Sequence, residues 1–235
     1  LIYAGKGFSI NGKTTLPVKR NTAGNPLTDG SGKPILVDQA VTVANGYLYS
    51  NVSASNRYSG LVPPQVVDKQ TIDVPVYTTL LNGELNSRIP AGKPTVTFNA
   101  AQNPLNNAAD WTKKFPAPGT ATSPTVVKVT GSGLNIPNNV TLNNYVITVE
   151  SGDFNFNGSG HNLNNSILVT KAGNINFANA QTKDIKAFAS GSINMNGGAK
   201  FAGASLLANA STGGNINFNG ATNTINASDE LKVIS

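Results

Sequence analysis

The sequence predicts an all-β protein: a parallel β-helix (β-solenoid) over residues 125–235, with a loop-rich N-terminal insertion ahead of it. Three observations carry this. The chain is poor in charge and rich in Asn, Thr, Ser and Gly; one short motif recurs at spacings of 21, 18 and 23 residues; and within each copy apolar residues alternate with Asn.

The 235 residues suffice to bury a sizeable core, as one elongated domain or as a solenoid bearing an insertion. Charged residues are only 12% of the chain, against about 25% in ordinary soluble domains. The surface is therefore covered by Asn, Thr, Ser and Gly, which suit turns and hydrogen-bonded ladders better than helices. There is no Cys, which removes disulfides, thiolate metal sites and Cys nucleophiles together.

The motif is carried by four gapless segments, Asp153-Phe-Asn-Phe-Asn-Gly158, Asn174-Ile-Asn-Phe-Ala-Asn179, Ser192-Ile-Asn-Met-Asn-Gly197 and Asn215-Ile-Asn-Phe-Asn-Gly220, each preceded by Gly (Gly152, Gly173, Gly191, Gly214). Alternation of this kind is the period of a strand with one buried face. Phe154, Ile175, Ile193 and Ile216 form one inward column, and Phe156, Phe177, Met195 and Phe218 a second. Asn155, Asn176, Asn194 and Asn217 form the outward one, whose stacked amides can bond along the inter-strand spacing of ~4.8 Å. No single such strand buries its face alone, so the copies must stack.

A second strand precedes each copy, at Val146–Val149, Ile167–Thr170, Ile185–Phe188 and Leu206–Asn209, and a third, shorter element precedes that at Thr141–Asn144 and Asn162–Asn165. Two or three strands per turn with Gly and Asn corners make a parallel rung rather than hairpins, because like segments recur only at every third element. About five coils are expected.

The first half is less regular. Residues 1–12 read as an outlying first rung, since Lys6-Gly-Phe-Ser-Ile-Asn-Gly12 places Phe8 and Ile10 inward and Ser9 where Asn would be. Residues 13–124 read as an irregular β insertion or cap, with strand candidates at Ile35–Val43, Val66–Val76 and Pro94–Asn99. Val76–Arg88 is a candidate short helix with Leu80, Leu81 and Leu85 on one side, although Gly83 counts against it. A solenoid end exposes unpaired strand edges, which such an excursion can cover. The chain opens on Leu1 and Ile2 and closes on apolar Leu231, Val233 and Ile234. Both ends read as cut from something longer, with more chain or another molecule stacking on the last coil.

The net charge of +6 lies in the first half, where residues 1–127 hold 11 Lys and Arg against 6 acids, while residues 128–235 hold 6 against 5. The positions are scattered, and no basic stripe interleaves with aromatics, so nucleic acid is not an expected partner. No apolar run nears the ~18 residues of a membrane span.

Chemistry is sparse. The lone His161 sits among Gly160, Asn162 and Asn164 and reads as a solvated corner residue, without zinc spacing or a triad. Glu150 with Asp153 is the nearest acid pair for glycoside hydrolysis, and Asp229 with Glu230 is adjacent. No rung supplies the Asp cluster with basic neighbours that a polysaccharide lyase of this shape needs. The Gly-Asn-Ile-Asn segments lack the acids of a calcium-binding roll. An ice-binding face would want a regular Thr-x-Thr array, which is lacking. No catalytic, cofactor or metal residues are assigned, and Tyr47, Tyr49, Tyr58, Tyr77 and Trp111 all fall in the irregular half.

The Gly-Asn-Ile-Asn-Phe rungs of residues 140–235 resemble the repeats of secreted bacterial β-helical proteins, notably filamentous-haemagglutinin-like adhesins. Tyr3-Ala-Gly-Lys-Gly-Phe-Ser-Ile-Asn-Gly12 with Gly60-Leu-Val-Pro-Pro-Gln65 looks like large exported cyanobacterial proteins linked to pili and polysaccharide secretion. What these resemblances imply is an extracellular or cell-surface location and attachment or assembly there. The expected function is non-enzymatic and structural or adhesive, as part of a fibre, filament or large adhesin, with end-on or lateral self-association and cell-surface polysaccharide as partners. The alternative is a carbohydrate-binding or polysaccharide-cleaving β-helix. A flat Asn/Thr face with exposed end rungs favours the first, and a groove lined by acids and aromatics the second.

Overall fold

The computed structural model describes residues 2–3, 8–11, 14–15, 21–23, 25–32, 48–49, 77–209, 212–219, 223–225 and 232–234. In chain order the first elements are β1 (Ile2–Tyr3), β2 (Phe8–Asn11), β3 (Thr14–Thr15), β4 (Leu48–Tyr49), α1 (Tyr77–Arg88), β5 (Thr95–Asn99) and α2 (Ala108–Lys114). The strand candidates at Ile35–Val43 and Val66–Val76 lie outside the described residues.

Five coils follow, each giving one strand to each of three parallel sheets. They run β6 (Thr125–Thr130), β7 (Leu134–Ile136), β8 (Thr141–Asn143); β9 (Tyr145–Val149), β10 (Phe154–Phe156), β11 (His161–Asn164); β12 (Ile167–Thr170), β13 (Ile175–Ala178), β14 (Ala180–Lys183). The last two are β15 (Lys186–Ala189), β16 (Ile193–Asn196), β17 (Lys200–Ala202), then β18 (Ser205–Ala208), β19 (Ile216–Asn219), β20 (Asn223–Ile225). Strand β21 (Lys232–Ile234) opens a sixth. The first sheet has the order β1-β21-β18-β15-β12-β9-β6-β5, the second β4-β2-β19-β16-β13-β10-β7, and the third β3-β20-β17-β14-β11-β8. The fold is a β-solenoid, as the alternation predicts.

The register places like residues of the motif on one another, with Phe154 opposite Ile175, Ile175 opposite Ile193 and Ile193 opposite Ile216. Strand β7 is a further copy that the motif search passes over, Leu134 lying opposite Phe154 and Asn135 opposite Asn155. Upstream the strands do not pair start to start along the ranges read from the sequence: Ile167 pairs with Lys186 and Lys186 with Ser205. Ile185 is instead a buried corner residue. A slip of one reverses every face, and the true register sends Leu168, Ala187 and Leu206 into the main core and Val169, Phe188 and Leu207 outward.

The outward face of the first sheet is thus apolar too. It is covered by α1, whose Tyr77, Leu80, Leu81 and Leu85, with Ile89 beyond, pack on Val126, Val146, Ile167, Val169, Phe188 and Leu207. Positions 77, 81, 85 and 88 fall on one side of a 3.6-residue helix. Tyr77 meets Phe188 edge-on at 6.3 Å, Glu84 pairs with Lys186, and Arg88 Nη2 donates to the Asn165 carbonyl at 3.0 Å. Burial of this face offsets the cost of Gly83 within the helix.

Corners are set by backbone conformation. Asn144, Asn165, Asp184 and Gly203 occupy equivalent corners after the third-sheet strands and all have positive φ, at 59°, 48°, 53° and 59°. Only Gly and the short polar residues adopt this region cheaply. The Gly that precedes each motif copy has a different cause. A Cβ on Gly173 would lie 2.2 Å from the Gly152 carbonyl oxygen, and one on Gly214 would lie 2.4 Å from that of Gly191. The chain packs backbone on backbone there, and any side chain would pry the coils apart.

The N-terminal strands lie at the far end of the solenoid rather than the near one. Strand β2 pairs with β19, Phe8 lying opposite Ile216 and Ser9 opposite Asn217; β3 pairs with β20; and β1 pairs with β21. Within residues 1–12, the described strands β1 and β2 therefore join the last rung in space, beyond β18 and β19. The sixth coil is composite, with β21 from the C-terminus and β2 and β3 from the N-terminus. What stacks on the apolar C-terminal strand is the chain's own beginning.

Candidate functional site

The second sheet presents a neutral outer face. At the outward positions of β7, β10, β13, β16 and β19 stand Asn135, Asn155, Asn176, Ala178, Asn194, Asn196, Asn217 and Asn219, none of them charged. The central column is continuously bonded. Asn217 Nδ2 donates to Asn194 Oδ1 at 2.8 Å, Asn194 to Asn176 at 2.7 Å, Asn176 to Asn155 at 2.6 Å and Asn155 to Asn135 at 2.9 Å. Every amide donates toward the earlier coil, so the dipoles add along the ladder. Beneath it Phe156, Phe177, Met195 and Phe218 are buried in the core.

Neighbouring columns bond in the same way. Asp153 Oδ1 accepts from the Asn174 amide nitrogens, N at 2.8 Å and Nδ2 at 3.2 Å, and Asn174 Oδ1 in turn accepts from Ser192 N at 2.7 Å. Asn164 Nδ2 donates to Asn143 Oδ1 at 2.8 Å and Asn165 Nδ2 to Asn144 Oδ1 at 2.6 Å.

At the foot of the face lies a cleft of about 420 Å³, between the loop that leads into α2 and the first coil. Leu105 and Ala108 give it partly exposed apolar surface beside the buried Ile136 and Pro137, and the Asn residues at 106, 107, 135, 138, 139 and 157 give it amides. Helix α2 holds one wall in place. Asn107 is its N-cap, with Oδ1 accepting from Asp110 N at 2.9 Å, and Phe115 N closes the other end on the Trp111 carbonyl. Asp110 is the acid nearest this wall. Lys114 at 3.1 Å and the Asn106 N–H hold its carboxyl below the usual carboxylate range.

The other candidates from the sequence are placed as follows. Glu150 is ion-paired with Lys171 at 2.9 Å, and Asp153 is taken up in the corner ladder. Asp229 and Glu230 lie outside the described residues, as do the side chains of Tyr47, Tyr49 and Tyr58. Tyr77 packs from the first turn of α1 onto Phe188, and Trp111 is buried at the foot of the core. Among the described residues no group of three or more His, Asp or Glu could hold a metal, and no helix is long and apolar enough to cross a membrane.

His161 corrects the expectation of a solvated corner. It opens β11 as an inward residue, with no exposed surface and its ring edge-on to Phe156 at 5.6 Å. Its Nε2 donates to the Asn157 carbonyl at 3.1 Å, while the buried Nδ1 has no partner. Gly160 and Asn162 on either side conceal this, because alternation puts one residue of a strand inside whatever its neighbours are. Burial holds its pKa below the ordinary His value, against the smaller opposing pull of the Asn157 carbonyl. The unfolded chain therefore binds the proton more readily. Stability is expected in full above the ordinary value of about 6.5 and to fall as pH drops from there toward the lowered folded pKa. Denaturant titration at stepped pH checks this: His161→Leu is expected to flatten that part of the profile, and an unchanged slope would assign the pH response elsewhere.

No protein-family model, curated protein or solved structure matches the chain.

Proposed function

We propose that the chain is a non-enzymatic structural or adhesive element of the cell exterior, which attaches laterally to cell-surface polysaccharide through the outer face of its second sheet. The observation that carries this reading is the uncharged amide array on that face, tied together by the bonded column from Asn217 to Asn135. A repeating amide surface both donates and accepts at fixed intervals, which suits a repeating hydroxylated polymer. Lateral rather than end-on contact is supported by the two ends. The far end pairs with the N-terminal strands, and the foot of the core is occupied by Trp111 and Phe115.

Incubation with insoluble polysaccharides, followed by measurement of the protein left in solution and electron microscopy of the solids, tests it. Retention is expected to be insensitive to added salt, because the face bears no charge to screen. Absence of retention on every polymer would sink the adhesive reading, and release of soluble sugar ends would replace it with a cleaving one.

A further inference from the structure

We infer that the cleft at the foot of the second sheet is a binding site for an uncharged polyhydroxylated ligand, a neutral sugar residue of a polysaccharide chain. The ligand class rests on the adhesive reading; the place of the site rests on the ladder.

Four successive amides donate in one direction, from Asn217 down to Asn135. Among the described residues strand β7 is the terminal strand of its sheet, and no further strand continues the Asn column below Asn135. Its Oδ1 is occupied by Asn155. Its Nδ2, the last donor of a chain in which each bond polarises the next, has no protein acceptor among the described residues. The step at which a sixth amide would stand, one inter-strand spacing of ~4.8 Å further on, is at the cleft that Asn135 lines. A ligand hydroxyl there completes the ladder.

The rest of the lining fits the same chemistry. Asn138, Asn139 and Asn157 line the cleft with amides that no protein side chain engages, and each can give and take hydrogen bonds as vicinal hydroxyls do. Leu105 and Ala108, both partly exposed, offer apolar surface for the C–H face of a pyranose ring. None of the lining residues is charged, so nothing compensates the desolvation of an anionic or cationic ligand. The volume of about 420 Å³ lies within the ~300–1,000 Å³ range of small-ligand sites.

The decisive variant is Asn135→Asp. It keeps an oxygen that accepts from Asn155 and replaces the free NH2 by a second carboxylate oxygen, which brings one negative charge with it. Titration of the intact chain with neutral oligosaccharides of glucose, mannose, galactose and N-acetylglucosamine, followed by backbone-amide NMR, is expected to shift signals of residues 105–108, 135–139 and 157. Asn135→Asp and Asn157→Ala are each expected to weaken binding about tenfold or more, the effect of losing one well-placed hydrogen bond. Gln181→Ala, exposed on the third sheet two coils away from the first, is expected to leave it unchanged, and matched thermal unfolding identifies any variant that fails to fold. Three results would overturn the site: no neutral sugar shifts these residues, Asn135→Asp binds as the parent does, or uronic-acid oligomers bind as tightly. Cleft variants that still adhere fully to polysaccharide would also overturn it while leaving surface attachment standing. Sugar binding in the cleft without adhesion would do the reverse.

Discussion

Replacing Phe177 by Ala is expected to cost about 3–5 kcal/mol of folding stability, at the upper end of that range. The ring has no exposed surface, lies parallel to Phe156 at 5.3 Å between centroids, and takes Phe201 edge-on at 5.8 Å. It therefore stands mid-stack, with coils above and below. The cavity left by truncation cannot collapse, because strands β10 and β16 on either side are pinned to their own neighbours by parallel ladders. Phe177→Met is expected to cost under ~1.5 kcal/mol, since Met195 already occupies the next position of the same column. One residue earlier, Asn176→Ala breaks two ladder bonds on a half-exposed face and is expected to cost nearer ~1–2 kcal/mol. Chemical denaturation reads all three, as a fall in midpoint with little change in slope. Similar losses for Phe177→Ala and Asn176→Ala would mean that the two faces of the rung are not energetically distinct.

How much of this was legible in the sequence differs by element, for physical reasons. In the second sheet one face is core and one is amide, so the Asn-Ile-Asn-Phe pattern carries the register within itself, and Phe154, Ile175, Ile193 and Ile216 align without gaps. In the first sheet both faces are buried, and Ile167-Leu-Val-Thr170 reads as a continuous apolar run with no phase. That is why the strand starts read from the sequence do not pair with one another there, and why the apolar seat for α1 went unseen. The run itself was the available signal, since a strand apolar on both faces needs a second cover. Strand β7 was missed because Pro137 ends its copy of the motif where the others carry Asn or Ala. The cleft was beyond reach for another reason. Its two walls come from residues 105–108 and 135–139 with Asn157, brought together only by the way α2 docks under the first coil. Placement of the N-terminal rung against β19 is likewise a matter of topology, for Lys6–Gly12 carries the rung pattern but nothing about which end it joins.

Trp111→Ala is expected to cost a further ~3–5 kcal/mol, and to change assembly as well as stability. Helix α2 is short, and its hold on the solenoid is aromatic. Trp111 stacks on Phe115 at 4.0 Å and meets Tyr145 edge-on at 6.2 Å, while Phe115 packs against Phe98 at 4.9 Å. The Tyr145 hydroxyl ties down the following loop by donating to the Pro116 carbonyl at 2.7 Å. Without the indole this layer loosens and the apolar foot of the core, including Leu134, Ile136 and Val127, is exposed to water. Beside it the first sheet ends, among the described residues, on β5, where Thr95, Val96 and Thr97 are already exposed along a strand paired to β6 on one side. A bare core next to an unpaired edge is the arrangement that draws solenoids and sheets into end-on association. The variant is therefore expected both to unfold at lower denaturant and to form larger particles as its concentration rises, which mass photometry or light scattering reads directly. Loss of stability without growth in mass would mean that α2 supports the first coil but is not what limits end-on contact, and lateral attachment would then need another explanation than a closed foot.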